Sequence, residues 1–175
     1  MNHRRWYPRI CLPPQPAFRV RRARPAEAYI LARFRLLENQ EQRRALGKPA
    51  FPDSPQQMGT LAKWIQQKMR ERRLAGFLAV GRDGAPVAGC FIWLQEVPPR
   101  PYKAGRFVPR LQAMYTTPDW RRKGVASAVV EAALGWAKSR GGERVMLRSS
   151  VMGEKLYESK GFVRVPEMER DLRRQ

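Results

Sequence analysis

The sequence predicts an α/β domain in which a mixed, mostly antiparallel sheet is flanked by helices. Three observations carry that expectation. Apolar runs at 77–80 and 86–94 flank Gly81-Arg82-Asp83-Gly84. An Asp-Gly turn between apolar runs marks a hairpin. Two stretches ahead of that hairpin repeat their apolar residues at helical spacing. Beyond it, a strand runs through a basic loop, Arg121-Arg122-Lys123-Gly124-Val125-Ala126, into a third helical stretch.

In chain order, residues 1–17 carry Pro8, Pro13, Pro14 and Pro16 among arginines, with no acidic residue. They read as an extended leader, and 18–175 as one domain. Residues 18–22 are a short first strand. Pro25 suits the first turn of a helix. Ile30, Phe34 and Leu37 recur at i, i+4 and i+7, which predicts a helix over 25–46 that Gly47 and Pro49 end. Ser54 caps the next helix, with Gln57 three residues on. Its stripe of Met58, Leu61, Ile65 and Met69, with Trp64 beside it, reads as core packing, and the helix closes near Gly76. A proline-rich connection follows the hairpin and leads to a strand at 107–115. Thr116-Thr117-Pro118-Asp119 turns the chain into the basic loop. Val125, Val129, Ala133 and Trp136 then repeat at helical spacing up to Gly141, a natural stop. A strand at 144–148, a helix at 152–160 ended by Gly161, and a strand at 162–165 complete the order β-α-α-β-β-β-α-β-α-β.

The 175 residues hold 35 basic and 15 acidic side chains, a net charge of +20. Such a field attracts phosphates, nucleic acid and anionic surfaces. The apolar share of 43% is enough for a core. Cys11 and Cys90 lie far apart without metal spacing, and His3 is the single histidine. Those facts disfavour a disulfide framework, a His-Cys metal site and a histidine-dependent hydrolase. No metal is expected. The most apolar stretch, 74–94, is broken by Arg82-Asp83-Gly84, so no transmembrane run is present. No apolar signal core follows the first basic residues. A cytoplasmic protein, not a membrane-bound one, is expected.

The basic loop has the chemistry of an anion site. The first N–H groups of a helix lack internal partners and sit at the positive end of its dipole. Gly124 and Ala126 carry little or no side chain, so a diphosphate can come close to the backbone. Arg121, Arg122 and Lys123 add charge-assisted contacts.

Arg121-x-x-Gly124-x-Ala126, after a strand ending Met114-Tyr115-Thr116-x-Pro118, resembles the coenzyme A loop of the GCN5-related N-acetyltransferases (GNAT). Downstream, Leu156-Tyr157 ahead of Gly161-Phe162 is similar to the same family's closing helix and strand. Upstream, the run from Phe18 to Glu27 is similar to the family's first strand and the start of its first helix. The resemblance spans about residues 18–170 and is strongest over 111–162.

That resemblance implies a GNAT-like fold, acetyl-CoA as co-substrate, and transfer to a primary amine of an unidentified acceptor. It implies pyrophosphate on the backbone N–H groups of residues 122–127, which include Val125 and Ser127, with Arg121 and Arg122 reaching phosphates. It implies a bulged, splayed strand at Ala113, Met114, Tyr115 and Thr116 that pairs with the pantetheine arm. The Met114 N–H is then the candidate oxyanion donor. Tyr157 is the candidate general acid, because a phenol with a pKa of about 10 keeps its proton at neutral pH. Ser150 stands where many members carry an asparagine that contacts the cofactor. The general base stays open between Glu38, Glu96, a water chain and an acceptor amine that is already neutral.

The acceptor could be a small molecule, a peptide N-terminus or a lysine. The basic surface disfavours polycationic acceptors and keeps aminoacyl-tRNA in view. The family often dimerises, which makes a homodimer a candidate assembly. A competing reading is an RNA- or tRNA-binding protein that keeps this fold without turnover. Charge alone supports it, since no nucleic-acid-binding motif is visible. A cofactor-binding sensor without catalysis is a third reading, and an intact Tyr157 speaks against it.

Overall fold

A computed structural model describes residues 17–50, 54–98, 107–168 and 170. The leader, with His3 and Cys11, lies outside them except for Ala17.

Strand β1, Phe18–Arg22, is followed by a 3-10 turn at Pro25–Glu27 and helix α1, Ala28–Ala45. Helix α2, Pro55–Arg70, starts where the Ser54 hydroxyl accepts from the Gln57 N–H at 3.4 Å. Strands β2, Leu74–Gly81, and β3, Pro86–Glu96, form the expected hairpin. At its turn the Asp83 carboxylate accepts from the Ala85 N–H at 3.0 Å, and Gly84 sits at φ +81°. An aspartate that bonds two residues on and a glycine at positive φ are what such turns select. Strand β4, Phe107–Thr116, a 3-10 turn at Pro118–Trp120, helix α3, Val125–Ser139, and helix α4, Glu154–Glu158, follow.

The four strands pair antiparallel in the order β1-β2-β3-β4. Every residue of β2 is buried, as a central strand covered on both faces must be. One face, with Ala75, Phe77, Ala79, Cys90, Ile92 and Leu111, packs on Val125, Val129, Val130 and Ala133 of α3. The other, with Leu74, Leu78, Val80, Phe91, Ala113 and Tyr115, packs on Leu31 and Phe34 of α1 and Ile65 of α2. Helix α1 therefore looks at β4 across one face while α3 covers the other.

Four expectations need correction. Helix α2 stops at Arg70, not near Gly76, and Gly76 lies inside β2. A Cβ on Gly76 would stand 2.3 Å from the Leu31 Cδ1, so the glycine lets α1 approach the sheet. The segment 144–148 is not a full strand: it makes one parallel bridge, Met146 to Arg110. Residues 162–165 form no strand, and Val163 and Val165 are exposed. The last helix covers Glu154–Glu158 instead of 152–160.

Candidate active site

Strand β4 breaks its register with β3 in one place. Gly89 faces Tyr115 and Phe91 faces Gln112. Ala113 and Met114 thus oppose Cys90 alone, which is a β-bulge. Ala113 takes φ +59°, a left-handed conformation that costs a residue with a Cβ about 1–2 kcal/mol. On its outer edge β4 holds the next segment only briefly. The Leu111 N–H donates to the Met146 carbonyl at 2.9 Å, and the Met146 N–H donates to the Pro109 carbonyl at 2.9 Å. No parallel pairing continues past Met146 among the described residues, and the chain turns away toward α4.

A cleft of about 80 Å³ lies at this fork. Arg35 and Glu38 of α1, residues 110–114 of β4, Leu147, Arg148 and Tyr157 line it. Met114 and Tyr157, expected to work together, do meet at one cavity. Glu38 joins them, and Glu96 does not. Glu96 ends β3 in an exposed pair with Arg73 at 3.4 Å.

Glu38 is fixed along its own helix face. The Arg35 Nη1 donates to its Oε2 at 2.9 Å, and the Gln42 Nε2 donates to its Oε1 at 2.9 Å. Its side chain is 15% exposed. Desolvation raises its pKa, and the Arg35 charge and hydrogen bond oppose that shift only in part. Tyr157 packs edge-on against Phe162, ring centres 5.6 Å apart. Burial pushes its phenol pKa up, and proximity to Cys90 and Glu38 adds to this. The phenol therefore keeps its proton at neutral pH. Burial likewise raises the pKa of the Cys90 thiol, so Cys90 is a packing residue here and no nucleophile.

The basic loop has an uncapped helix start. Gly124 is the N-cap of α3 at φ +75°, and as a glycine it supplies no capping side chain. No acidic residue occupies the first turn. Among the described residues, none beyond its chain neighbours lies within 4 Å of where a Gly124 Cβ would stand. The loop residue Arg122 also has positive φ, +60°. Alternating left-handed residues turn successive N–H groups toward one side, the geometry of an anion-binding nest. Val125 is buried in the core, while Arg122, Lys123 and Gly124 are exposed. The Lys123 Nζ lies 5.7 Å from the centre of the Trp120 ring.

Arg121 behaves differently from its two neighbours. Its Nε donates to the Thr116 carbonyl at 3.0 Å, and its Nη2 donates to Glu41 of α1. The Glu41 hydrogen bond raises its pKa, against the effect of burial, and ties the loop to α1. The side chain expected to reach phosphate is engaged inward. Tyr115 is also turned inward, its ring 5.6 Å from that of Phe34, so its backbone rather than its phenol is offered to a ligand. The Ser150 hydroxyl accepts from the Gly153 N–H at 3.2 Å and closes the turn into α4. The Thr116 hydroxyl is buried and meets no partner among the described residues.

Acetyl-CoA fits this arrangement on two counts. The N–H groups at the start of α3 want an anion, and the orphaned Thr116 hydroxyl wants a polar partner at the end of β4. Sequence reasoning missed Arg35, Arg110 and Arg148 in the cleft and Glu41 behind the loop. For Arg35 a signal existed: Arg35, Glu38 and Gln42 recur at i, i+3 and i+7, one stripe of α1. For Arg110 and Arg148 none did. Among the described residues no cluster of His, Cys, Asp or Glu could hold a metal ion. No helix among them is long and apolar enough to cross a membrane.

The profile of the Acetyltransferase (GNAT) family matches residues 34–162. Among solved structures, a "predicted acetyltransferase" of Clostridium acetobutylicum, solved with acetyl-CoA, is similar at 21% identity and a TM-score of 0.77. The match covers 90% of this chain and 98% of that one. A GCN5-related N-acetyltransferase of Ralstonia eutropha shares 19% identity and a TM-score of 0.72, over 89% of this chain and 99% of that one. An acetyltransferase of Trypanosoma brucei shares 20% identity and a TM-score of 0.61, with coverages of 89% and 99%. No curated protein sequence matches the chain significantly. With the family matched over most of its length and the bulged strand and uncapped loop in place, the chain belongs to the GNAT acetyltransferases and is an acetyl-CoA-dependent N-acetyltransferase.

Proposed function

We propose that the chain moves the acetyl group to a primary amine by direct transfer in the cleft at the β4 bulge. The supporting observation is the convergence of Met114, Tyr157 and Glu38 on that one cleft. Acetyl-CoA supplies a thioester carbonyl whose carbon is electrophilic. The N–H groups of Arg122, Lys123, Gly124, Val125, Ala126 and Ser127 hold its pyrophosphate, and the exposed Arg122 and Lys123 side chains add charge. The backbone of Ala113, Met114, Tyr115 and Thr116 pairs with the pantetheine arm as an added strand would.

Glu38 takes one proton from the acceptor ammonium, so the nitrogen lone pair is free. That nitrogen forms the new C–N bond while the C–S bond breaks. The Met114 N–H donates to the carbonyl oxygen as it gains charge. The Tyr157 hydroxyl gives its proton to the departing sulfur, the second amine proton passes through solvent to restore the phenol, and Glu38 releases its proton to solvent. Ser150 holds the turn that sets the position of Tyr157.

Tyr157→Phe tests the reading. Thiol release with an amine panel is expected to fall by about 100-fold or more. Acetyl-CoA affinity should change little, because the phenyl ring still packs on Phe162. Unchanged turnover would leave Tyr157 a packing residue and remove it from the chemistry.

A further inference from the structure

We infer that Glu41 is a positioning residue: through Arg121 it fastens the outer half of α1 to the end of β4, and so sets Glu38 against the cleft. The inference rests on the reading of Glu38 as the base of the transfer. Helix α1 presents one stripe to β4, in which Phe34, Glu38 and Glu41 recur at i, i+4 and i+7. Phe34 meets the Tyr115 ring. Glu38 lines the cleft at the bulge, and Glu41 accepts from the Arg121 Nη2 at 2.5 Å.

The two halves of α1 are held by different forces. Ala28, Leu31, Ala32 and Phe34 are buried, with Ile30 and Leu37 packed beside them. Among the described residues, none of α1 after Leu37 belongs to either apolar core. Glu38 is thus the first residue beyond the packed half. Its bonds to Arg35 and Gln42 run along its own helix, so they fix the carboxylate on the helix and not the helix on the sheet. Placing the helix takes a bond to another element, and Glu41 makes one a single turn further on.

Arg121 is a firm anchor for that bond. Its Nε donates to the Thr116 carbonyl at 3.0 Å, and its guanidinium carbon lies 5.7 Å from the centre of the Tyr115 ring. Its backbone N–H donates to the Pro118 carbonyl at 3.1 Å. These contacts hold Arg121 to the end of β4 without help from α1. The Arg121 and Glu41 side chains are 31% and 33% exposed, so water screens the pair less than a bridge standing free in solvent. Loss of the Glu41 carboxylate therefore leaves the loop in place and releases the outer half of α1. A base displaced from the acceptor nitrogen loses rate even though its own chemistry is intact.

The test reads amide hydrogen exchange and turnover on the full chain, in wild type, Glu41→Ala, Glu41→Gln and Arg121→Gln. In Glu41→Ala the amides of residues 38–45 should exchange faster by about 3- to 10-fold, with those of 28–37 unchanged. Thiol release is measured with acetyl-CoA and a panel of amino acids, amino alcohols, polyamines and lysine peptides. For the amine that wild type uses best, kcat should fall by about 3- to 10-fold, while acetyl-CoA Kd, read by titration, stays unchanged. Glu41→Gln keeps a carbonyl that Arg121 can donate to, so it should recover part of both losses. Arg121→Gln should reproduce the faster exchange of 38–45. Wild-type exchange and wild-type kcat in Glu41→Ala would overturn the inference. So would weaker acetyl-CoA binding in Arg121→Gln with 38–45 unchanged, which would assign that arginine to the phosphates. Full activity in Glu38→Gln would instead overturn the base reading beneath it. No thiol release with any amine of the panel would overturn the transfer reading, whatever the exchange showed.

Discussion

Glu38 is where stability and activity pull in opposite directions. Its pKa in the folded chain is raised by burial, opposed in part by Arg35 and by the Gln42 hydrogen bond on its own helix, with Arg110, Arg148 and Tyr157 across the cleft. A carboxyl that binds its proton more tightly when folded destabilises the fold once pH exceeds both its pKa values. Glu38→Gln should therefore hold or raise Tm at neutral pH while lowering kcat/KM. The wild-type rate should fall on acidification at a pH above the ordinary carboxylate range, and the variant should lose that limb. A lower Tm with full activity would make Glu38 a structural residue. At this scale the sequence was partly legible. Gly124 and Tyr157 stand out by motif. The bulge does not, because Ala113 carries no mark of its left-handed φ of +59°. Only the resemblance to a family with a bulged strand pointed there. The inward turn of Arg121 was equally hidden, since its partner Glu41 lies 80 residues away in sequence.

At the scale of elements, four helix ends tell why some boundaries were legible and one was not. Helix α1 ends with the Lys48 N–H donating to the Arg43 carbonyl and the N–H of Gly47, at φ +64°, donating to that of Arg44. The same pair of bonds closes α3 at Gly141 and α4 at Gly161. This is the Schellman arrangement, which selects glycine at the left-handed position. Helix α2 closes identically, with the Arg73 N–H on the Lys68 carbonyl and the Arg72 N–H on that of Met69. Its left-handed residue is Arg72, at φ +56°. No glycine marked the stop, so the reading ran on to Gly76. Arg72→Gly should raise stability by about 0.5–1 kcal/mol, by relieving that conformation. Denaturant unfolding checks it, and a loss of stability would mean that the Arg72 side chain does more than occupy the cap. The two misjudged strands failed for a different reason. Alternation at 144–148 and 162–165 is genuine, but a strand needs a neighbour and a covered face. Met146 finds a neighbour at one residue, and Val163 and Val165 find no cover.

The whole molecule is a split sheet in a strongly basic shell. The fork between β4 and the chain after Met146 places Tyr157 of α4, Glu38 of α1 and the bulge of β4 around one cleft. The start of α3, with glycine as its N-cap and no acidic residue in its first turn, follows the far end of β4. A net charge of +20 draws any polyphosphate toward that surface. Specific recognition therefore has to be separated from bulk attraction, and salt separates them, because screening weakens long-range attraction far more than a fitted contact. The most direct measurement is calorimetric titration with acetyl-CoA at physiological salt, with ATP as polyanion control and Gly124→Glu as the variant. Saturable one-to-one binding of acetyl-CoA that ATP does not match is expected. It should be lost in Gly124→Glu, which sets a carboxylate against phosphate at a position of φ +75°. Equal, salt-sensitive binding of both ligands, or full binding by the variant, would contradict a cofactor site at the head of α3.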